Sequence, residues 1–422
     1  MRIAVEAHAL SQDKLTGVGN VVLHYLNELQ RIDKSNDYFI YTVEDLKHVT
    51  ITSPRWHHVS FDYFLKRIHG RVSEVWLRLK SENEQNSSPF RSFRILCCRL
   101  VKIILGVIDD FVYSAKVAAS LRDNRVDIYL GTSTYFYPYF FLSPVKKAGI
   151  IYDLVWELYP GTMEFGNKVR MKLFTLRNMK KMDLLISISE NTKKDAIELL
   201  GLATRIDAIP LAAEPSIFYP ASPSAVSSMK KKYGITKKYI LSVCTLEPRK
   251  NLKALLQAFR IMQGRLDYQL VLVGMTGWVI SDLFKDIASS DIKDNILITG
   301  YVPNAELAPL YTGAEFFAFP SLYEGFGLPV LEAMQCGCPV ITSNSSSIPE
   351  VAGDAAIMVD PEDIRGLAAS MEKVLKNRAF RDSLANKGLK RSKLFSWEKS
   401  ARTLLQSIES LQQEGSRRHF KP

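Results

Sequence analysis

Cysteine is scarce in this 422-residue chain: Cys97, Cys98, Cys244, Cys336 and Cys338 are all there is, an odd number thinly spread. That excludes a disulfide framework, and no C-x-x-C pair offers the ligand spacing of a zinc site. No apolar run reaches the ~18 residues that a membrane-spanning helix needs. The most lipid-like stretch, Leu100 to Ile108, is short and carries Lys102. The N-terminus reads MRIAVEAH, without the long apolar core and small-residue cleavage site of a secretory signal. No nucleic-acid recognition module stands behind the basic character of the chain, so nucleic acid is not an expected partner. Together these absences point to a cytoplasmic protein.

What is present fits an ordinary soluble chain. Hydrophobic residues make up 47% and charged residues 23%, a balance that excludes disordered, collagen-like and polytopic membrane classes. The length argues for two or three domains. Lys and Arg number 55 against 44 Asp and Glu, a net charge of +11. Such an excess suits an anionic membrane surface, a polyanion or a phosphate-bearing substrate, and does not choose among them.

Short apolar runs alternate with helical periodicity along most of the chain. In the first half, Ile3 to Ala7, Tyr38 to Val43, Val126 to Leu130, Gly149 to Tyr152 and Leu184 to Ser187 read as buried strands. A glycine turn at Gly17-Val18-Gly19 precedes Val21, Val22, Tyr25, Leu26 and Leu29 at helical spacing. Pro210, Pro215, Pro220 and Pro223 break any continuing element and mark a linker. Beyond it the rhythm resumes with Tyr239 to Val243, Gln269 to Val273, Ile296 to Thr299, Glu315 to Phe319, Pro339 to Thr342 and Ala356 to Val359. Strands alternating with helices predict parallel sheets covered on both faces, here two Rossmann-like halves with a cleft between their carboxyl edges.

One stretch departs from this rhythm. Residues 62–125 form a basic insertion, with nine Lys or Arg against three Glu between Lys66 and Lys102. Its centre, SENEQNSSP, predicts a mobile polar loop. Phe64, Leu65, Ile68, Val72, Trp76 and Leu79 among the charges predict an amphipathic helix, packed on the sheet or docked on an anionic membrane. The basic segment VRMKLFTLRNMKKM at 169–182 offers the same two readings.

Three segments carry candidate chemistry. In PSLYEGFGLPVLEAMQCGCPVITS (320–343), a strand runs into the loop Glu324-Gly325-Phe326-Gly327 and then into a helix with Pro329 in its first turn. Such a helix start offers unpaired N–H groups to an anionic or hydroxyl-rich ligand. Glu324 on the loop and Glu332 on the helix can line one ligand from two ends, each carboxylate accepting hydrogen bonds from a vicinal diol. In LSVCTLEPRKNL (241–252), Arg249 and Lys250 occupy a strand-to-helix turn, a site for a diphosphate. In TGVGN (16–20), Gly17 and Gly19 permit close backbone approach from the opposite wall. The acidic pair Asp109-Asp110 lies in a helical stretch and reads as a solvated face, with no acidic cluster clearly placed for Mg²⁺.

Taken together, EPRKN, GYVPNAELAPLY, EGFGLPVLEAM with its E-x7-E spacing, and SNSSSIPEVAGDAA resemble glycosyltransferase family four, the retaining enzymes of the two-Rossmann GT-B fold. The resemblance spans nearly the whole chain and is weakest over 44–125. Within that family the phrasing is most like bacterial mannosyltransferases of O-antigen and capsule assembly. It implies an N-terminal acceptor-side domain over 1–210, a nucleotide-sugar domain over 211–395, and a C-terminal helix over 396–422 crossing back, heralded by FSWEKSARTLL. It implies a hexose, best matched by mannose from GDP-mannose, passed to a lipid-linked oligosaccharide or polysaccharide at the inner face of the membrane. A UDP-sugar donor, an epimerase or phosphorylase of the same fold, and a non-catalytic nucleotide-sugar-binding subunit are the alternatives. By residue, it implies Glu332 on the donor ribose, and Glu324 with Gly325, Phe326, Gly327 and Leu328 on the donor sugar. Arg249 and Lys250 would meet the diphosphate, Tyr301 and Val302 lie near the base, and Gly17 and Gly19 near the diphosphate and acceptor. Where many relatives have arginine this chain has Thr245, and where many have His-Asp it has Tyr152-Asp153, which leaves those two as acceptor-side candidates. Fixed cations and helix dipoles would stabilise the leaving group without a metal or other cofactor.

Overall fold

The apolar runs form two separate parallel sheets in the computed structural model, which describes residues 1–13, 15–61, 68, 70–76, 78–79, 89–133, 145–162, 171–263, 267–275, 277 and 281–418. The first sheet contains β1 (Arg2–Glu6), β2 (Asp37–Thr42), β3 (Trp56–Ser60), β4 (Ile128–Gly131), β5 (Lys146–Ile151), β6 (Leu184–Ser187) and β7 (Ile206–Ala208). Their order is β3-β2-β1-β4-β5-β6-β7. The second contains β8 (Tyr239–Val243), β9 (Gln269–Val273), β10 (Ile296–Gly300), β11 (Phe316–Phe319), β12 (Val340–Ser343) and β13 (Ile357–Val359), in the order β10-β9-β8-β11-β12-β13. Strand order reverses between β1 and β4 in one sheet and between β8 and β11 in the other. Such switch points open a crevice at the carboxyl edge of an α/β sheet, and ligands bind there.

The interior strands are buried on both faces, as parallel strands between helical layers must be. Ile3, Ile128, Ile186, Leu241, Leu270 and Phe317 are fully covered. Trp397–Arg418, the last helix, packs on the helix Gly17–Ile32 of the first lobe. The Trp397 ring stacks on His24 with centroids 4.6 Å apart, Arg31 pairs with Glu398, and Ser400 Oγ donates to Pro210 O.

Several expectations are corrected. Gly17-Val18-Gly19 is not a free turn. Thr16 caps the helix, its Oγ1 accepting from Gly19 N at 3.2 Å, and both glycines lie in the first helical turn. Asp110 is not on a solvated face but buried on the inner side of the helix Pro89–Asp123. Two strands were missed, β3 and β7. Each is an edge strand, and β3 has polar, exposed His57 and His58 where an interior strand would be apolar. Of the basic segment at 169–182, Met171, Asn178, Met179 and Met182 are buried, so much of it packs inward. Most of the polar stretch SENEQNSSP, together with Phe64 and Leu65, lies outside the described residues.

Candidate active site at the lobe junction

The site grows from two loops at the switch point of the second sheet. After β8 the chain stays extended to Glu247, and Pro248–Lys250 then makes one 3-10 turn. Asn251 follows in the left-handed region, φ 55°, with its side chain donating to Pro361 O at 2.7 Å, and the helix Leu252–Gln263 begins. The loop after β11 is sewn to this turn: Leu322 N donates to Arg249 O at 2.9 Å. Ser346 Oγ accepts from Glu324 N and Ser347 Oγ donates to Glu324 O, so the backbone on either side of that carboxylate is held. Gly327, φ 101°, then turns the chain into the helix Leu328–Gln335, with Pro329 in its first turn as expected.

This folding brings Lys250 and Glu324 together. Lys250 Nζ donates to Glu324 Oε1 at 2.6 Å, and Ser321 Oγ donates to the same oxygen at 2.6 Å. Arg249 Nη1 reaches Glu324 Oε2 at 3.1 Å. Burial alone pushes the Glu324 carboxyl up, but the Lys250 and Arg249 charges and the donated hydrogen bonds outweigh it and hold the group below its ordinary value. It is therefore ionised at neutral pH. Lys250 has three protons to give and needs one for this pair, so the ammonium can also meet an arriving anion.

Arg249 behaves differently from its neighbour. Besides Glu324, it donates to Tyr323 O at 2.6 Å and to Glu247. Burial opposes its charge, but Glu324, Glu247 and Asp153 outweigh that and raise its pKa further. Arg249 thus braces the Glu324 loop. Glu247, buried beside it, was not singled out from the sequence, although its i, i+2 spacing to the arginine was available as a signal.

Glu332 sits apart from this cluster, partly exposed on its helix and accepting from Tyr311 Oη at 3.0 Å. Burial raises its carboxyl from an ordinary 4.5 to about 7, only partly offset by the tyrosine. Val302 is buried and Tyr301 exposed at the end of β10, on the far side of β9 from the cluster.

The two lobes touch at Gly325. A Cβ there would lie 2.0 Å from Tyr152 O and 3.0 Å from Asp153 Cβ, at the carboxyl end of β5. Thr192 Oγ1 donates to Gly325 O at 3.2 Å from the helix Glu190–Leu200 of the first lobe. That helix is also capped from across the gap, where the Glu350 carboxylate accepts from Glu190 N at 2.9 Å and Asn191 N at 3.0 Å. Tyr323 Oη donates to Asp195 at 2.9 Å. Thr192, Asp195 and Glu350 are not singled out as site residues by the sequence, since the partners they meet across the lobes lie more than a hundred residues away.

Tyr152 is turned from the gap. Its hydroxyl donates to Thr132 O at 2.9 Å, so only its backbone faces Gly325. Tyr152, an acceptor-side candidate, thus offers its backbone and not its hydroxyl at the gap. Asp153 remains at the rim, and burial raises its carboxyl despite the hydrogen bond from Val155 N and the nearby Arg249. Gly17 and Gly19 belong to the first lobe; a Cβ on Gly19 would meet Leu15 and Ala9, whereas one on Gly17 would meet open space. Among the described residues, no three His, Cys, Asp or Glu side chains converge as a metal site would require.

Two Rossmann-like parallel sheets that meet at the crevice edge give the architecture of the GT-B class. Solved structures share this architecture over nearly the full chain. They include sucrose-phosphate synthase from Thermosynechococcus elongatus, at a TM-score of 0.66 and 18% identity over 97% of this chain and 98% of that one. Anabaena HepE in complex with UDP and glucose gives a TM-score of 0.67 at 14% identity, covering 97% and 99%. At such identities the likeness is one of fold. The sequence profile of Glycosyl transferases group 1 matches residues 226–391. The chain is also 33% identical over 343 residues to O-antigen chain mannosyltransferase B of Escherichia coli, covering 79% of this chain and 87% of that enzyme. The serotype-specific mannosyltransferase WbdA of Escherichia coli is 32% identical over 280 residues, 64% of this chain, which spans 34% of that longer enzyme. The chain belongs to the glycosyl transferases group 1 family.

Proposed function

We propose that this chain transfers a mannosyl group from GDP-mannose, with retention of anomeric configuration, to a growing polysaccharide carried on lipid at the cytoplasmic face of a membrane. The observation that carries the chemistry is the Lys250–Glu324 pair, buried at the lobe junction and braced by Arg249. Sugar transfer breaks the bond to a diphosphate, and negative charge grows on the departing oxygen. A preorganised cation in a water-poor gap stabilises that charge more in the transition state than in the ground state. Lys250 supplies it, and the positive end of the Leu328–Gln335 helix dipole adds to it. Glu324, ionised and fixed, accepts hydroxyls of the donor sugar; Glu332 accepts those of the ribose. The acceptor approaches from the first lobe, past Asp153. The mannosyl donor is supported by the Escherichia coli relatives, which bear that activity in their names.

The test is a thermal-shift panel of GDP-mannose, UDP-glucose, UDP-galactose and UDP-N-acetylglucosamine, followed by transfer of labelled sugar. GDP-mannose is expected to raise the melting temperature most, since a ligand that binds only the folded state stabilises it. Preference for a UDP-sugar overturns the mannose assignment. Label that stays on nucleotide or phosphate overturns transfer itself. Because side chains supply the positive charge, excess EDTA is expected to leave the transfer rate unchanged, and a metal-dependent loss would refute that part.

Glu332 gives the reaction a pH signature. Its folded carboxyl titrates near 7, so below that value it carries a proton and accepts the ribose diol poorly. The KM for donor is expected to rise as pH falls from 8 to 6, with kcat little changed. The same raised value means the folded state holds this proton more tightly than the unfolded chain does. The stability it confers is complete below about 4.5 and lost as pH climbs through about 7. Glu332→Gln should therefore flatten both the donor KM profile and the decline in melting temperature across that window. A variant whose two profiles match the wild type contradicts the assignment.

A further inference from the structure

The helix Pro89–Asp123 has two unlike halves. Its C-terminal half is anchored, with Asp110, Tyr113, Ser114, Val117, Ala118 and Leu121 buried against the first sheet. The N-terminal half instead presents Phe93 (63% exposed), Leu96, Leu100, Val101, Ile104 (58%) and Ile108 to solvent. At ~100° per residue these side chains fall within an arc of about 140°, and they run about 24 Å along the axis. Soluble chains rarely leave so continuous an apolar strip uncovered unless something covers it in use.

The charge pattern says what covers it. From 89 to 108 the helix carries Arg91, Arg94, Arg99 and Lys102 and no acidic residue; the first acid, Asp109, comes one position after the last exposed apolar side chain. The acid-free run and the apolar strip thus end together. Arg94 is exposed at the edge of the strip. Arg71, with Val72, Val75 and Cys97, lines the apolar groove alongside, where Glu74 is the neighbouring acid. Lys102 lies over the Trp76 ring, 4.2 Å from its centroid, which ties the helix to the preceding segment. No helix among the described residues is long and apolar enough to cross a membrane. An apolar strip whose charged neighbours within 89–108 of the helix are all cations fits the interface of an anionic bilayer, lying in it without spanning it.

We infer that the N-terminal half of this helix docks the protein on anionic lipid, with Leu100 and Ile104 inserted among acyl chains and the surrounding arginines on the headgroups. The purpose of such docking rests on the proposed lipid-borne acceptor, but the docking itself is measured without any transfer, so the two can fail separately.

The full chain is to be floated with phosphatidylcholine vesicles containing phosphatidylglycerol, and with vesicles of phosphatidylcholine alone. Binding to the anionic vesicles is expected, weakened but not abolished by salt, because screening touches only the electrostatic share. Leu100→Asp with Ile104→Asp should reduce it by at least about tenfold, as charge replaces the inserted apolar area. Both side chains are mostly solvent-facing, so the melting temperature and the donor-induced thermal shift are expected to stay at wild-type values. Arg94→Glu, a milder surface change, should weaken binding without a change in melting. Failure of the wild type to float with anionic vesicles, or equal flotation of the double variant, overturns the inference. So does a wild-type dimer in sedimentation velocity that Leu100→Asp with Ile104→Asp converts to monomer, since a second copy would then be what covers the strip.

Discussion

Lys250→Ala is expected to lower kcat/KM by about 10²–10³-fold while the protein remains folded, the scale set by removing one preorganised charge-stabilising group from a transition state. Lys250 keeps two N–H donors beyond its bond to Glu324, whereas Arg249 is held in place by Tyr323 O, Glu324 and Glu247. Breaking a buried ion pair outright costs roughly 3–5 kcal/mol. Here the loss should be smaller, since Arg249 still faces Glu324 at 3.1 Å and Ser321 still donates to it. Steady-state kinetics beside thermal melts separate the two effects. Turnover close to wild type in a folded Lys250→Ala protein would remove the central residue of the proposed site.

Gly325→Ala is expected to be nearly as damaging by another route. The added methyl would stand 2.0 Å from Tyr152 O, and backbone on both sides is held: Gly325 O by Thr192, the loop by Ser346 and Ser347. Neither partner can yield as a flexible side chain would. The lobes must part, which carries Asp153 and the bound acceptor away from the donor. A displacement of about 1 Å at a reacting centre can cost about 10²-fold in rate. A kcat loss of that order is expected, with donor affinity changed little because Lys250, Glu324 and Glu332 all belong to the second lobe. Isothermal titration with nucleotide sugar, set against kcat, reads the difference. Equal loss of donor binding and turnover would mean that the methyl collapses the donor loop and does not open the junction.

Much of this architecture was legible because buried parallel strands are short apolar runs. β6, β8 and β9 occupy the residues that the pattern predicted. β3 and β7 escaped for a physical reason: an edge strand buries less, so its sequence need not be apolar. Lys250 and Glu324 were also readable, each standing where a strand turns into a helix at a switch point. What could not be read was direction. Successive side chains on a 3-10 turn diverge by about 120°. Adjacent Arg249 and Lys250 both reach Glu324 yet differ in their other contacts, Arg249 also holding Tyr323 O and Glu247. Tyr152 illustrates the same limit, since nothing local announces that its hydroxyl is taken by Thr132 O. Thr192, Asp195 and Glu350 depend on how one lobe lies on the other, information that no short stretch of sequence contains.

The cap that Glu350 places on the Glu190–Leu200 helix has a kinetic meaning. It joins the lobes through a carboxylate and two backbone amides, groups that water solvates well when they separate. Unlatching this one contact bares no oily surface, so it adds little to any barrier for parting the lobes there. A solute that competes for those amides is expected to loosen the latch directly.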